Sequence, residues 1–291
     1  MTTTKIAWTP IREEFGARIE IDLNTELTDS VLEELSRIFD ERHMLIFPNQ
    51  DIDLETQRRV VAAVGKPFDT EVQFVSSHHD PHGKPQPTPT DPDPRTVQFH
   101  SDLVFHETLP VHGISLYALD VSGNTEPGFQ GTKFISARSG YVHLTDSEKA
   151  ELEGRTLLSL HSLTLSTEDQ IALRNHPFKD IEDQTTWWAE HPLLYPLPRT
   201  GEKTLMFIPW FAHSISGMSP EESQKWFARF EELLYADENQ TYSHRWEQGD
   251  FVFWNNLALQ HAKETTEPFD GPLPTRVLRR QAYGPVEPNL Y

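Results

Sequence analysis

Gly249-Asp250-Phe251-Val252-Phe253-Trp254-Asn255-Asn256, running on through Leu257 to His261, is the stretch whose reading decides the fold. Asp250–Trp254 reads as a strand, because aromatic and branched side chains suit a pleated, packed surface. Phe251, Phe253 and Asn255 share one face of it, and Val252, Trp254 and Asn256 share the other. The turn Asn255-Asn256-Leu257 then swings His261 towards the centre of a barrel. Far upstream, Gln98-Phe99-His100-Ser101-Asp102-Leu103 lies in a strand-like run, Thr96–Leu103, that follows a loop. Residues i and i+2 of a strand point the same way, so His100 and Asp102 are expected to reach one metal from one strand. Two imidazoles and a carboxylate can hold one face of a ferrous ion and leave the other positions open. The His-x-Asp triplet alone is a weak signal, since a hydrogen-bonded His–Asp pair on a sheet edge has the same sequence. A lone histidine such as His261 is also more often structural than a ligand. His78, His79, Asp80 and His82 form a competing cluster, but their proline-rich setting lacks the packed surroundings that fix a ligand.

Arg276 follows His261 by fifteen residues. Arg276, Leu278 and Arg280 share one face of a last strand, Arg276–Tyr283, while Val277 and Arg279 share the other. Arginines facing into a barrel are costly unless each meets an anion, and a guanidinium fork suits a carboxylate. Periodicity alone leaves open the reverse assignment, with Arg279 inside and Arg276 and Arg280 outside.

The rest of the 291 residues limits what such a site can serve. Lys+Arg 25 against Asp+Glu 45 gives a net charge of −20, which disfavours a nucleic-acid backbone or an anionic membrane as partner. There is no cysteine, so disulfides, thiolate metal sites and cysteine nucleophiles are excluded. The first residues carry no signal-like apolar core, and no run approaches the roughly 20 apolar residues that span a bilayer. A cytoplasmic enzyme acting on a small molecule is the expectation, and a homo-oligomer (dimer or tetramer) is compatible with it.

No internal repeat or long linker divides the chain, so residues 1–291 are read as a single domain. Helices are expected after Thr28 or Asp29, after Asp53 or Thr56, over Ser147–Leu152 and over Ser219–Tyr235. Strands are expected at Arg18–Leu23, Met44–Phe47, Val111–Asp120, Thr132–Ser136, Leu157–Leu163, Lys203–Ile208 and Thr241–Trp246. Residues 176–190 read as irregular. Many short strands with a few outer helices suggest a distorted barrel or sandwich. Six prolines fall between Pro81 and Pro94, so about 76–95 reads as an inserted loop, with a lid and a solvated insertion equally compatible.

Several further stretches occur in a fixed order. Met44-Leu45-Ile46-Phe47-Pro48-Asn49-Gln50 is followed by Val64-Gly65-Lys66-Pro67, then by Phe99-His100-Ser101-Asp102. Gln130-Gly131-Thr132-Lys133-Phe134, His191-Pro192-Leu193 and Thr200-Gly201-Glu202-Lys203 come next, ahead of the Gly249–His261 stretch and Arg276. In order and spacing these resemble the TauD/TfdA family of Fe(II)/2-oxoglutarate-dependent dioxygenases, from about Leu27 to Tyr283. The departures are Trp254-Asn255-Asn256, where the family commonly has Trp-Asp-Asn, and the proline-rich loop.

The resemblance implies a mainly β fold with flanking helices (α+β), a double-stranded β-helix or jelly-roll barrel. It implies Fe(II) on His100, Asp102 and His261, with O2 and 2-oxoglutarate as co-substrates. Thr132 and Arg276 would meet the distal carboxylate of 2-oxoglutarate. Arg280 would meet an acid group of the substrate, and Phe105 and Phe211, with Trp187, Trp188 and Trp210, would line an apolar wall. The reaction implied is oxidation of an unactivated C–H, by hydroxylation or desaturation, with release of succinate and CO2. Because Asp102 occupies the carboxylate position, halogenation is disfavoured. Two rivals stand beside this reading: a His2Asp zinc hydrolase, which leaves the arginines idle, and a barrel that binds a small acid without turnover.

Overall fold

The strand Phe251–Asn255 lies near the middle of the largest sheet, and both of its faces are buried. The structure is a computed structural model that describes residues 5–69, 72–76, 98–162, 167–175, 186–264 and 274–285. In chain order its strands are β1 Trp8–Pro10, β2 Ala17–Ile19, β3 Met44–Phe47, β4 Gln73–Ser76, β5 Gly113–Asp120, β6 Thr132–Ser136, β7 Thr156–Ser162 and β8 Thr186–Pro192. There follow β9 Leu194–Pro196, β10 Lys203–Leu205, β11 Ala212–Ile215, β12 Tyr242–His244, β13 Phe251–Asn255, β14 Leu259–Lys263 and β15 Val277–Tyr283. The helices are α1 Asp29–Arg42, α2 Leu54–Ala62, α3 Ala137–Val142, α4 Asp146–Leu152, α5 Thr167–Ala172 and α6 Pro220–Tyr235.

The major sheet has seven strands in the order β1-β2-β3-β13-β5-β15-β4. Its outer face carries Leu45, Phe47, Phe251, Phe253, Tyr117 and Tyr283, and these pack on α1 and α2. Phe39 of α1 stacks on Phe253 with ring centroids 4.5 Å apart. Thr28 and Asp53 cap these two helices by accepting from Val31 N and Thr56 N, as their sequences suggest. The inner face carries Ile46, Ile114, Leu116, Val252, Trp254 and Leu278. It faces a minor sheet, β12-β6-β14, whose Phe134 and Leu259 close the same core. A sheet buried on both faces reads as continuous apolar runs rather than alternation, and Phe251–Trp254 is such a run. The two facing sheets form the jelly-roll barrel, with helices outside it. A third core, under α6, joins Phe207, Phe227, Phe230 and Leu234. No helix among the described residues is long and apolar enough to cross a membrane.

Four expectations need correction. Residues 98–103 are not a strand: His100 makes an isolated bridge to His261, and Asp102 opens a turn in which Leu103 has φ 57. The cause is local, because the Asn256 carboxamide takes both backbone groups of Asp102 and leaves none for a ladder. Residues 186–190 are not irregular, since Trp187 and Trp188 pair with His161 and Leu160 in β8. His261 is delivered by strand β14, not by the turn before it. The strand from Lys203 stops at Leu205. The short strands β1, β4, β9 and β11 and the helices α3 and α5 are absent from the sequence-based expectations. The proline-rich loop, apart from Ser76 at the end of β4, and the His78, His79, Asp80 and His82 cluster lie outside the described residues.

Candidate metal centre

His100 and His261 face each other across the isolated bridge. His100 N donates to His261 O at 2.9 Å, and His261 N donates to His100 O at 2.8 Å. Their ring centroids are 4.2 Å apart. Asp102, carried on the turn after His100, points its Oδ1 at both rings, 3.4 Å from His100 Nε2 and 3.6 Å from His261 Nε2. One ligand atom from each of the three lies within 4.8 Å of the others, the one such grouping among the described residues.

The protonation states suit a cation. His100 Nδ1 lies 2.9 Å from Gln98 O, so the ring proton sits there and the Nε2 lone pair faces inwards. Burial, reinforced by the neighbouring His100, pushes His261 down to about 3, so its imidazole is neutral near pH 7. Burial opposes ionisation of Asp102, but its neighbours, the charged guanidinium of Arg280 at 2.9 Å among them, hold the carboxyl well below its usual range. Two imidazole lone pairs and a carboxylate oxygen thus converge, an arrangement that only a cation between them satisfies. The donor set, two nitrogens and one oxygen, fits a divalent transition metal.

Other side chains fix this geometry. Asn256 is fully buried: its Oδ1 accepts from Asp102 N at 2.8 Å, and its Nδ2 donates to Asp102 O at 3.0 Å and Val111 O at 2.8 Å. Asn255 instead caps its own turn, accepting from Leu257 N and Ala258 N. Arg280 Nη2 donates to Asp102 Oδ2 at 2.9 Å, and its Nη1 donates to Gln73 Oε1 on the neighbouring β4. The second carboxylate oxygen is therefore tied back, away from the imidazoles.

A cavity of about 210 Å³ opens beside the three residues. Its apolar lining includes Leu116 and Leu278 of the major sheet, and its polar lining includes Thr132, Lys263, Arg276 and Arg280. Arg276 and Arg280 thus face inwards, and the reverse assignment is excluded. Arg279 is also buried, but on the other face, where it donates to Gln57 Oε1 and Ile52 O and lies over the Tyr117 ring. Arg276 Nη1 donates to Gln130 O at 2.6 Å, directly before Thr132. Burial lowers the Arg276 pKa to about 10, so the guanidinium stays charged at neutral pH. Thr132 Oγ1 accepts from Trp246 Nε1 at 3.0 Å, which leaves its own O–H to donate into the cavity.

Phe105 and Phe211 lie outside the cavity lining. They are buried against each other, ring centroids 4.9 Å apart, with His161 and Trp187 packed on Phe105. Trp210 links this cluster to the centre, stacked on Phe211 and 5.9 Å edge-on from His100. Trp188 is 42 % exposed. Sequence reasoning gave no role to Lys263, Trp246 or Gln73. The signal for Lys263 was present, since it stands two residues beyond His261 in one strand and so shares its face.

Residues 7–281 match the family described as "Taurine catabolism dioxygenase TauD, TfdA family". The chain is 26% identical over 260 residues to a (S)-phenoxypropionate/alpha-ketoglutarate-dioxygenase of Sphingobium herbicidovorans, covering 87% of each. It is 32% identical over 196 residues to a pentalenolactone F synthase of Streptomyces arenae, covering 65% of this chain and 62% of that one. Among solved structures, AAD-2 in complex with Mn(II) and N-oxalylglycine superposes with a TM-score of 0.73 at 25% identity, over 99% of this chain and 100% of that one.

Proposed function

The chain belongs to the TauD/TfdA family of dioxygenases, and from that premise we propose that His100, Asp102 and His261 hold its metal as Fe(II). Like its relatives it is a 2-oxoglutarate (alpha-ketoglutarate)-dependent dioxygenase acting on a small molecule. The observation that carries the metal assignment is the convergence of three lone-pair donors within 4.8 Å beside a cavity of about 210 Å³ lined by cationic side chains. Thr132 and Arg276 bind the distal carboxylate of 2-oxoglutarate, the hydroxyl donating one hydrogen bond and the guanidinium a charge-assisted fork. Arg280 favours a substrate that bears a carboxylate, sulfonate or phosphate, whose apolar part would meet the cavity wall of Leu116, Leu278 and Trp254.

When bound, the metal supplies O2 activation: 2-oxoglutarate loses CO2 to give succinate, and the second oxygen atom goes to the substrate C–H as hydroxyl. The protein's share is orientation and exclusion. Asn256 and Arg280 hold the Asp102 carboxylate in one orientation. The Gln98 carbonyl fixes the His100 tautomer. Leu116, Leu278 and Trp254 keep the cavity wall apolar, so that water is excluded from the reacting carbon. Family membership favours this reading over a zinc hydrolase or a barrel that binds a small acid without turnover.

Anaerobic protein mixed with Fe(II) and 2-oxoglutarate is expected to develop a weak visible metal-to-ligand charge-transfer band. Conversion of 2-oxoglutarate to succinate across a panel of small acids then reports the substrate. A colourless complex, with His100→Ala binding metal as well as the wild type, would refute the assignment.

A further inference from the structure

We propose that Lys263 is a second cation for the distal carboxylate of 2-oxoglutarate, acting beside Arg276 and Thr132. The inference rests on the co-substrate reading above and adds to it a residue that this reading does not use.

Three observations place the ammonium at that end. His261 and Lys263 are two apart in β14, so both side chains leave the same face, and both line the cavity. Two residues of strand advance the chain by about 6.6 Å, comparable with the reach of a five-carbon diacid from a metal chelate to its far carboxylate. In the ladder between β14 and β6, His261 stands opposite Phe134 and Lys263 opposite Thr132. Directly opposed residues of an antiparallel pair have Cβ atoms about 5 Å apart, so the Lys263 stem starts beside the Thr132 hydroxyl. Arg276 reaches the same spot from the residue just ahead of β15, anchored to the carbonyls of Gln130 and Gly131 just before Thr132. A lysine and an arginine brought to one polar wall repel each other, and a carboxylate between them removes that repulsion while accepting hydrogen bonds from both. The apolar side walls, Leu116 and Leu278, leave such an anion no rival donors there.

The test is the binding of two oxo acids to Mn(II)-loaded protein without oxygen, followed by calorimetry. 2-Oxoglutarate has the distal carboxylate; 2-oxobutyrate chelates in the same way and lacks it. Lys263→Met is expected to weaken 2-oxoglutarate about ten- to hundred-fold, the worth of a charge-assisted hydrogen bond, and to leave 2-oxobutyrate within about two-fold. Lys263→Arg is expected to stay within a few-fold of wild type for both. Unchanged 2-oxoglutarate affinity in Lys263→Met overturns the proposal, and so does an equal loss for both oxo acids, which would place the lysine's effect at the chelate. Should the methionine variant fail to fold, Lys263→Gln is compared in its place. Arg276→Gln separates the two levels of the argument. If it loses 2-oxoglutarate affinity while Lys263→Met does not, only the lysine's role falls; if neither variant loses affinity, the co-substrate reading falls with it.

Discussion

Asn256→Ala is the substitution whose consequence follows most directly from the structure. The wild-type carboxamide makes three hydrogen bonds at 2.8–3.0 Å in a fully buried position, two to the backbone of Asp102 and one to Val111, two residues ahead of β5. Truncation leaves one N–H and two carbonyls facing a small void. At about 1 kcal/mol for each lost bond, the metal-free protein is expected to lose about 3 kcal/mol. At about 2–4 °C per kcal/mol for a chain of this size, the melting temperature falls by about 6–12 °C. The second consequence is chemical. Freed from Asn256, the Asp102 backbone samples other orientations, and its Oδ1 no longer stays aimed at the two imidazoles. Metal affinity is then expected to fall about 10- to 100-fold, as when a group that orients a ligand is removed. Asn256→Asp should not rescue it, because a buried carboxylate would face the carbonyls of Asp102 and Val111. The assays are thermal melting of the metal-free protein and calorimetric titration with Mn(II). A lower melting temperature with undiminished metal affinity would show that Asn256 only joins two loops, and would refute the claim that it aims the carboxylate.

Other perturbations act at single groups. Asp102→Ala removes the one carboxylate that lines the cavity among the described residues and leaves Arg280 facing the metal position; turnover should vanish and Mn(II) titration should show binding weakened by at least about 100-fold. Arg276→Ala should raise the 2-oxoglutarate concentration needed for half-maximal succinate release about ten- to hundred-fold, and unchanged co-substrate dependence would contradict its assignment. His43, buried at the C-terminus of α1, is pushed by burial from 6.5 down to about 4. Its unfolded form binds a proton first as pH falls, so the stability it contributes is complete above about pH 6.5 and is lost on descending to about pH 4, about 3 kcal/mol in all. Urea unfolding at pH 7 and pH 4.5 should show a dependence that His43→Phe flattens.

The sequence was most informative where a residue's chemistry and its spacing act through one strand. Phe251–Trp254 announces a doubly buried strand by its unbroken apolar run, and Arg276, Leu278 and Arg280 announce a shared face by period two. It was least informative where a side chain overrides the backbone pattern. His100 and Asp102 do reach one point, but not as i and i+2 of a strand: a carboxamide 154 residues away captures the Asp102 backbone and bends the chain into a turn. Nothing in the local residues 98–103 reports that capture. Arg280 is a similar case. Its face was legible, but its pairing with Asp102 Oδ2 depends on the height at which β15 meets the His100 loop, a tertiary quantity. The strand β8 was missed because tryptophans, histidine and proline together mimic a loop composition, whereas pairing along the whole of β7 decides the outcome.

The charge distribution bears on the substrate. The chain as a whole carries −20, a field that repels small anions at long range. At physiological ionic strength that field is screened over about 8 Å, so surface carboxylates contribute little inside the barrel. Among the described residues lining the cavity, Lys263, Arg276 and Arg280 are the cations and Asp102 the carboxylate. On the reading proposed here, a divalent metal and a dicarboxylate enter together and cancel each other, so the charge near Arg280 is set by the protein's own groups. An acid group on the substrate would suit a guanidinium at the cavity wall. Arg280 is where it would bind, because Arg280 lines the cavity while its Nη2 and Nη1 donate to Asp102 and Gln73. An anion there and the Asp102 carboxylate would then share one cation, so substrate binding and the aim of the metal's carboxylate ligand would be coupled through Arg280. A neutral substrate offers no such coupling, which is a physical reason for the enzyme to prefer acids beyond affinity alone.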